Sequence, residues 1–138
     1  MAISGFESAL IVGAGSGLSA SLARLLAKDG MRVALAARTT DKLAALCAET
    51  GAHAFACDAS STDQVAALFA GVDARIGAPD VVIYNASGRN RGPFEELVAS
   101  EVERTIAVTA FGAFLVAQQA VKRMLPKGKG LYPRKFII

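Results

Sequence analysis

Tryptophan is absent from this 138-residue sequence, histidine occurs once and cysteine twice. Aromatic residues make up only 7%, which excludes a core built on large rings. Small side chains must do the packing, and they suit helices laid closely on a sheet. Cys47 and Cys57 have neither the spacing of a metal site nor that of a disulfide framework. They read as buried or half-buried thiols of a reducing compartment, and no metal is expected. The single histidine, His53, has no partner acid or nucleophile motif, so it reads as structural. No basic segment precedes the first apolar stretch, which argues against a secretory leader. No uninterrupted apolar run approaches the about 20 residues that span a bilayer. A cytoplasmic chain without membrane contact is expected.

Charge is equally uninformative about large partners. The net charge is +3, and basic residues gather late, at Lys122, Arg123, Lys127, Lys129, Arg134 and Lys135. No aromatic residues interleave with them in the manner of a nucleic-acid surface, so a solvated helix end and tail is expected. Hydrophobic residues reach 53%, enough for a buried core, and the length suits one domain over 1–138.

The informative stretch runs from Ala9 to Asp29. A short apolar run ends at Val12, and Gly13, Gly15 and Gly17 follow at alternate positions. Leu18, Leu22, Leu25 and Leu26 then recur at helical spacing. Strand, glycine turn and helix form a phosphate cradle, because glycines let the backbone approach a pyrophosphate and free N–H groups at a helix start bind the anion. Gly30 is placed to end the helix in a left-handed cap.

The pattern repeats. Met31 to Ala37 reads as a second strand, with a helix after it carrying Leu43 and Leu46 inward. Ala52 to Cys57 is a third strand, followed by a helix whose stripe is Val65, Leu68, Phe69 and Val72. Ser61 and Gln64 have capping-box spacing, as do Ser100 and Glu103. Asp80 to Tyr84 is a fourth strand, ending in Asn85-Ala86-Ser87-Gly88. Phe94 to Leu97 fits a single helical turn, and a long helix extends from about Ser100 to Met124. Its expected inner face includes Val102, Ile106, Thr109, Ala110, Ala113, Val116, Ala120 and Val121. Alternating strands and helices give an α/β fold, a Rossmann-type doubly wound parallel sheet of about four strands with flanking helices. Ligands bind such sheets beyond the strand carboxyl ends, where strand order reverses. The Gly13–Gly17 and Asn85–Gly88 turns should therefore face one cleft.

The end of the second strand selects among nucleotides. NAD enzymes and S-adenosylmethionine methyltransferases both want an acid there for ribose hydroxyls. This chain has Ala37 followed by Arg38. A guanidinium pairs well with a 2′-phosphate, so NADP (NADPH) is favoured, NAD is less favoured, and a methyltransferase-like fold is disfavoured.

These residues resemble the N-terminal half of a short-chain dehydrogenase/reductase, over about Leu10 to Gly130. Gly13 and Gly17 fall on that family's Gly-x-x-x-Gly-x-Gly motif, with Ser19 at its last glycine. Asn85-Ala86-Ser87 matches the end of its Asn-Asn-Ala-Gly motif, with Tyr84 and Ser87 as departures. The resemblance implies that Gly13, Gly15, Ser16, Gly17 and Leu18 cradle the pyrophosphate. It places Arg38 and Thr39 on the 2′-phosphate and Asp58 at the adenine, with Asn85, Ala86 and Ser87 on the nicotinamide side. It implies hydride transfer to or from a carbonyl or alcohol, and a homo-oligomer formed through the long helix 101–124.

Other parts of the family pattern are missing. Thr109 stands where the family's relay asparagine would be. Tyr84 is followed four residues later by Gly88 and Tyr132 by Phe136, so no Tyr-x-x-x-Lys exists. A fifth strand is due near Leu131, where Leu131-Tyr132-Pro133-Arg134-Lys135-Phe136-Ile137-Ile138 stands instead. The tail over 131–138 is thus atypical, and a truncated product without the catalytic residues is the expectation. A catalytically inactive nucleotide-binding or dimerisation module is the rival reading.

Overall fold

The computed structural model describes residues 5–132. Four strands form one parallel sheet in the order β3-β2-β1-β4. They are β1 (Ser8–Val12), β2 (Arg32–Ala37), β3 (His53–Ala56) and β4 (Val81–Tyr84). The chain steps outward from β1 through β2 to β3, then returns to place β4 on the other side of β1. The reversal between β1 and β4 is the switch point of a doubly wound sheet.

Strand alternation divides the core into two layers. Leu10 and Val12 of β1 join Ala34 and Ala36 of β2 beneath α3 (Thr62–Ile76) and α5 (Gly112–Lys127). Ala9 and Ile11 join Val33 and Leu35 on the opposite face, beneath α1 (Leu18–Lys28) and α2 (Ala44–Thr50). Every residue of β1 is buried, as expected of a central strand covered on both faces. The expected stripe of α3 is the observed one: Val65, Leu68, Phe69 and Val72 are buried, with Ile76 added. Fully burying Phe69 stabilises the fold by roughly 1.5–3 kcal/mol. Arg123 covers that ring at 4.9 Å and forks onto the Asp73 carboxylate at 2.8–3.0 Å.

Three expectations need correction. The first concerns α1, where Ser19, Ala20, Ala23 and Leu26 are buried while Leu18 and Leu25 are about half exposed. Three of the four buried residues are small, so the helix lies close to the sheet, while Leu26 is buried and Leu22 packs partly against the same core. Its end is as expected: Gly30 has φ +85°, Gly30 N–H donates to Ala27 O and Met31 N–H to Leu26 O, a Schellman arrangement.

The second concerns caps. Ser61 does cap α3, its hydroxyl accepting from Gln64 N–H at 3.3 Å. Gln64 does not reach back to Ser61; its carbonyl accepts from Asp58 N–H at 2.8 Å. The Ser100–Glu103 box does not form, because the long helix starts at Ala99 with Val98 before it and no side-chain cap.

The third concerns the long helix itself, continuous over Ala99–Lys127. It comprises α4 (Ala99–Ile106), a wider π-turn (Ala107–Phe111) and α5. By length and composition it is the one helix among the described residues that could cross a membrane. Gly112, Ala113, Leu115, Val116, Ala120 and Met124 are its buried residues. Ile106, Ala110 and Val121 are exposed instead, because the π-turn rotates the face that meets the sheet.

Near its end the chain does begin to extend the sheet. Leu131 forms a parallel bridge to Val81, donating to Asp80 O and accepting from Val82 N–H, both at 2.9 Å. The atypical tail beyond Tyr132 lies outside the described residues.

Candidate functional site

The cleft opens at the carboxyl ends of the strands, over the switch point. Gly13 follows β1 with φ +88°, and its N–H and that of Ala14 both donate to Ala36 O at 2.9 Å. An added Cβ on Gly13 would lie 2.6 Å from Ala86 Cα and 2.7 Å from the Asn85 carbonyl carbon. Only glycine allows the β1 and β4 turns to meet. Gly15 and Gly17 have nothing within 4 Å of an added Cβ, so the backbone there faces open space.

Ser19 ties this corner together. Buried on the inner side of α1, its hydroxyl donates to Gly13 O at 3.1 Å and accepts from Asn85 Nδ2 at 2.9 Å. Asn85 N–H continues the ladder to Val12 O at 2.8 Å. The serine at a glycine position thus crosslinks the turn after β1 to the turn after β4.

A cavity of about 810 Å³ follows. Gly13, Gly15, Arg38, Thr39, Asp58, Asn85, Ala86 and Ser87 all line it, as the sequence leads one to expect. Ser16, Gly17 and Leu18 do not; they are exposed at the start of α1. Asp58 is held by its own turn, its Oδ1 accepting from Ser60 Oγ at 2.7 Å and Ser60 N–H at 3.0 Å. The Ser60 hydroxyl and N–H hold this carboxyl below its usual range, with smaller help from the Arg104 and Arg38 charges against partial burial. Cys57, beside it, is pushed up to about 11 by burial and the neighbouring Asp58 charge, so its thiol is inert.

The outer wall is built by the first half of the long helix. An added Cβ on Gly88 would lie 3.0 Å from Thr105 Cα, and one on Gly112 would lie 2.7 Å from Ala59 O. Tyr84, buried at the end of β4, donates its hydroxyl to Val108 O within the π-turn. Burial raises its pKa first, with the nearby Tyr132, Cys57 and Asp58 charges adding to it. Thr109 Oγ1 accepts from Gly88 N–H at 3.1 Å. Tyr132 donates its hydroxyl to Ala113 O at 3.1 Å.

Among the polar lining residues, sequence reasoning missed Lys42, Arg89, Asn90, Glu101, Arg104 and Thr105. Arg104 carried no signal, because its place in the cleft beside Asp58 depends on how the long helix crosses it. Among the described residues there is no cluster of three or more His, Cys, Asp or Glu that could hold a metal.

A parallel doubly wound sheet with a glycine turn and a cation-lined cleft at its switch point defines a dinucleotide-binding α/β domain. The short chain dehydrogenase family model matches residues 7–131, and the chain belongs to that family of oxidoreductases. A D-threitol dehydrogenase from Mycolicibacterium smegmatis is 38% identical over 127 residues, covering 88% of this chain and 49% of the relative. A putative ketoacyl reductase from Streptomyces coelicolor is 34% identical over 137 residues, 94% of this chain and 52% of that one. Among solved structures, an actinorhodin polyketide ketoreductase variant with NADPH superposes with TM-score 0.87 at 33% identity, over 97% of this chain and 54% of that chain. A metagenomic short-chain oxidoreductase in complex with NADP gives TM-score 0.87 at 33% identity, over 93% and 61%. The chain spans about half the length of the curated relatives it matches.

Proposed function

We propose that this chain is the NADP(H)-holding part of an oxidoreductase that moves hydride to or from a carbonyl or alcohol. The carrying observation is the meeting of Gly13 with Ala86 over a cleft where Arg38 and Lys42 take no side-chain hydrogen bond among the described residues. Unpaired cations beside a glycine turn suit a phosphate-rich ligand. The residues present fit the cofactor: open space at Gly15 and Gly17 admits a pyrophosphate, and Asp58 keeps one carboxylate oxygen outside its Ser60 contacts for the adenine. When bound, the nicotinamide supplies or accepts the hydride. This chain's own residues bind and orient: Arg38 and Thr39 hold the 2′-phosphate, while Asn85, Ala86 and Ser87 form the floor of the nicotinamide side. The NADPH- and NADP-bound neighbours support that choice over NAD.

No proton transfer is assigned to the two tyrosines. Tyr84 and Tyr132 both donate to main-chain carbonyls, and Tyr84 titrates too high to act near neutrality. The proton donor is therefore sought outside the described residues. The long helix is proposed as the homo-oligomer surface, because Phe111, Phe114, Val121 and Leu125 form an exposed stripe at spacings of three, seven and four. A cytoplasmic location belongs to the same reading.

The test is a calorimetric titration of NADPH, NADH and S-adenosylmethionine, on this chain and on Arg38→Ala. NADPH should bind tightest and lose that advantage on the substitution. Equal affinity for NADPH and NADH, unchanged in Arg38→Ala, overturns the NADP assignment. Tighter S-adenosylmethionine binding overturns the oxidoreductase reading.

A further inference from the structure

We infer that Arg104, on the long helix, is a second specificity residue for the phosphorylated adenosine end of the dinucleotide, reaching it from the opposite wall of the cleft. The inference rests on the NADP(H) reading above and adds a residue that the glycine turn and the β2 end do not suggest.

The cleft has two sides. The sheet side supplies Arg38 after β2, Lys42 from the short 3₁₀ turn Asp41–Leu43, and Asp58 after β3. The helix side supplies Glu101, Arg104, Thr105 and Val108. Thr105 is fixed in place because its backbone packs against Gly88, where an added Cβ would come within 3.0 Å of its Cα. Arg104 precedes it and is exposed, in the last turn of α4. Arg104 and Arg38 line one cleft with Asp58, and both charges help to lower that carboxyl's pKa, so two guanidinium groups from two elements share the space beside one acid.

The charged groups lining the cleft are four cations, Arg38, Lys42, Arg89 and Arg104, and two carboxylates, Asp58 and Glu101. Asp58 has Oδ1 occupied by the Ser60 hydroxyl and N–H, so it offers the arginines a charge rather than a full fork. Neither Arg38 nor Arg104 takes a side-chain hydrogen bond among the described residues. A surplus of two positive charges, with unused planar donors, matches a phosphomonoester carrying up to two negative charges. An unphosphorylated ribose would leave that surplus uncompensated.

Position explains why the second cation comes from this helix. None of the residues of α4 or the π-turn is buried. The segment is held by Tyr84 to Val108 O, Thr109 to Gly88 N–H and the close packing at Gly88 and Gly112. It stands as a wall with its inner side open to the cleft, and Arg104 is the cation on that side. A phosphate gripped from both walls also fixes the wall against the sheet.

The experiment compares Arg104→Gln and Arg104→Lys with the unchanged chain, titrating NADPH, NADH, 2′,5′-ADP and 5′-ADP at two salt concentrations. Arg104→Gln should weaken NADPH and 2′,5′-ADP about tenfold while leaving NADH and 5′-ADP within about twofold, as expected for loss of one charge-assisted contact. Arg104→Lys should recover part of the affinity, and the salt dependence for 2′,5′-ADP should shrink in Arg104→Gln. An equal loss for NADPH and NADH overturns the inference in favour of adenine stacking or a structural role, and no loss overturns it outright. Arg38→Ala run in parallel separates the two readings. If Arg38→Ala loses NADPH selectively and Arg104→Gln does not, this inference fails alone; if neither discriminates, the NADP reading fails with it. Circular dichroism of each variant confirms that the fold is retained.

Discussion

At the amino ends of the strands, Lys127 and Lys129 converge on Asp80, with Nζ to Oδ1 at 2.9 and 3.7 Å. Asp80 is buried, and its second oxygen accepts Glu7 N–H at 2.8 Å. Lys127 also donates to Ala78 O and Lys129 to Gly5 O. At the carboxyl ends, Arg38, Lys42 and Arg104 line one cleft with Asp58, and none of them takes a side-chain hydrogen bond among the described residues. Both ends gather cations beside one aspartate. At one end both ammonium groups are paired within the chain, tying β1, β4, the end of α5 and the Leu131 bridge into one knot. At the other the acid is held by Ser60 and the cations are left over. Satisfied charge marks structure here, and surplus charge marks a place for a ligand.

The hardest way to break the ligand end is through its backbone. Gly13→Ala puts a side chain at φ +88° and a Cβ 2.6 Å from Ala86 Cα. Strain and overpacking together should cost about 3 kcal/mol. Thermal unfolding should show that loss, and dinucleotide titration should show no measurable binding. A variant as stable as the parent would mean that β1 and β4 do not meet as described.

The structural end comes next. Asp80→Asn removes the charge that Lys127 and Lys129 face, and should destabilise by about 2 kcal/mol, less than a fully buried pair because Lys127 is partly exposed. The Asp80 carboxyl lies below its usual range. Burial opposes this, but Glu7 N–H and the Lys127 and Lys129 charges outweigh it. Its contribution is therefore full above the ordinary carboxylate pKa of about 4 and lost as pH falls below that. Urea unfolding followed from pH 6 to pH 3 should show that acid-side loss in the parent and a flatter profile in Asp80→Asn. Dinucleotide affinity at pH 7 should be unchanged, because the knot lies at the far end of the sheet. Equal acid sensitivity in both proteins would remove Asp80 from its place in the comparison.

Arg38→Ala tests the ligand end without touching the fold. NADPH affinity should fall about tenfold, NADH affinity should hold within about twofold, and the unfolding temperature should not move. A drop in stability would mean that Arg38 belongs to the structural kind of charge.

How far each end could be read in advance follows from the same contrast. The strands, their order of appearance and the glycine turn were legible because apolar runs and glycines act locally. Arg38 and Asp58 were legible because they follow strand ends directly. Arg104 was not, since it comes to the cleft beside Asp58 only because a helix 46 positions later in the chain forms the opposite wall. Asp80 read only as the start of a strand, and the late lysines as a solvated tail. Their mutual pairing is a long-range fact. Tyr84 read as a departure from the family pattern; a buried hydroxyl needs a partner, and it found Val108 O by latching the helix. Of the α1 leucines, Leu26 and in part Leu22 pack as their spacing suggests, while Leu18 and Leu25 point outward because small residues, Ser19, Ala20 and Ala23, take most of the contact with the sheet.

Ser19 gives the smallest and most diagnostic change, since it sits at the ligand end yet is fully satisfied. Its hydroxyl is both donor to Gly13 O and acceptor from Asn85 Nδ2. Ser19→Ala leaves an amide N–H and a carbonyl short of one partner each, both partly open to the cleft, so about 1 kcal/mol of stability should be lost. That corresponds to a fall of about 4 °C in unfolding temperature for a domain of this size. Binding should weaken by less than stability suggests, because the crosslink places Asn85 and the turn but contributes no charge to the phosphate. If Ser19→Ala instead weakens NADPH and NADH equally and strongly with an unchanged unfolding temperature, the serine reaches the cofactor itself. The division between satisfied and surplus groups would then not hold at this corner.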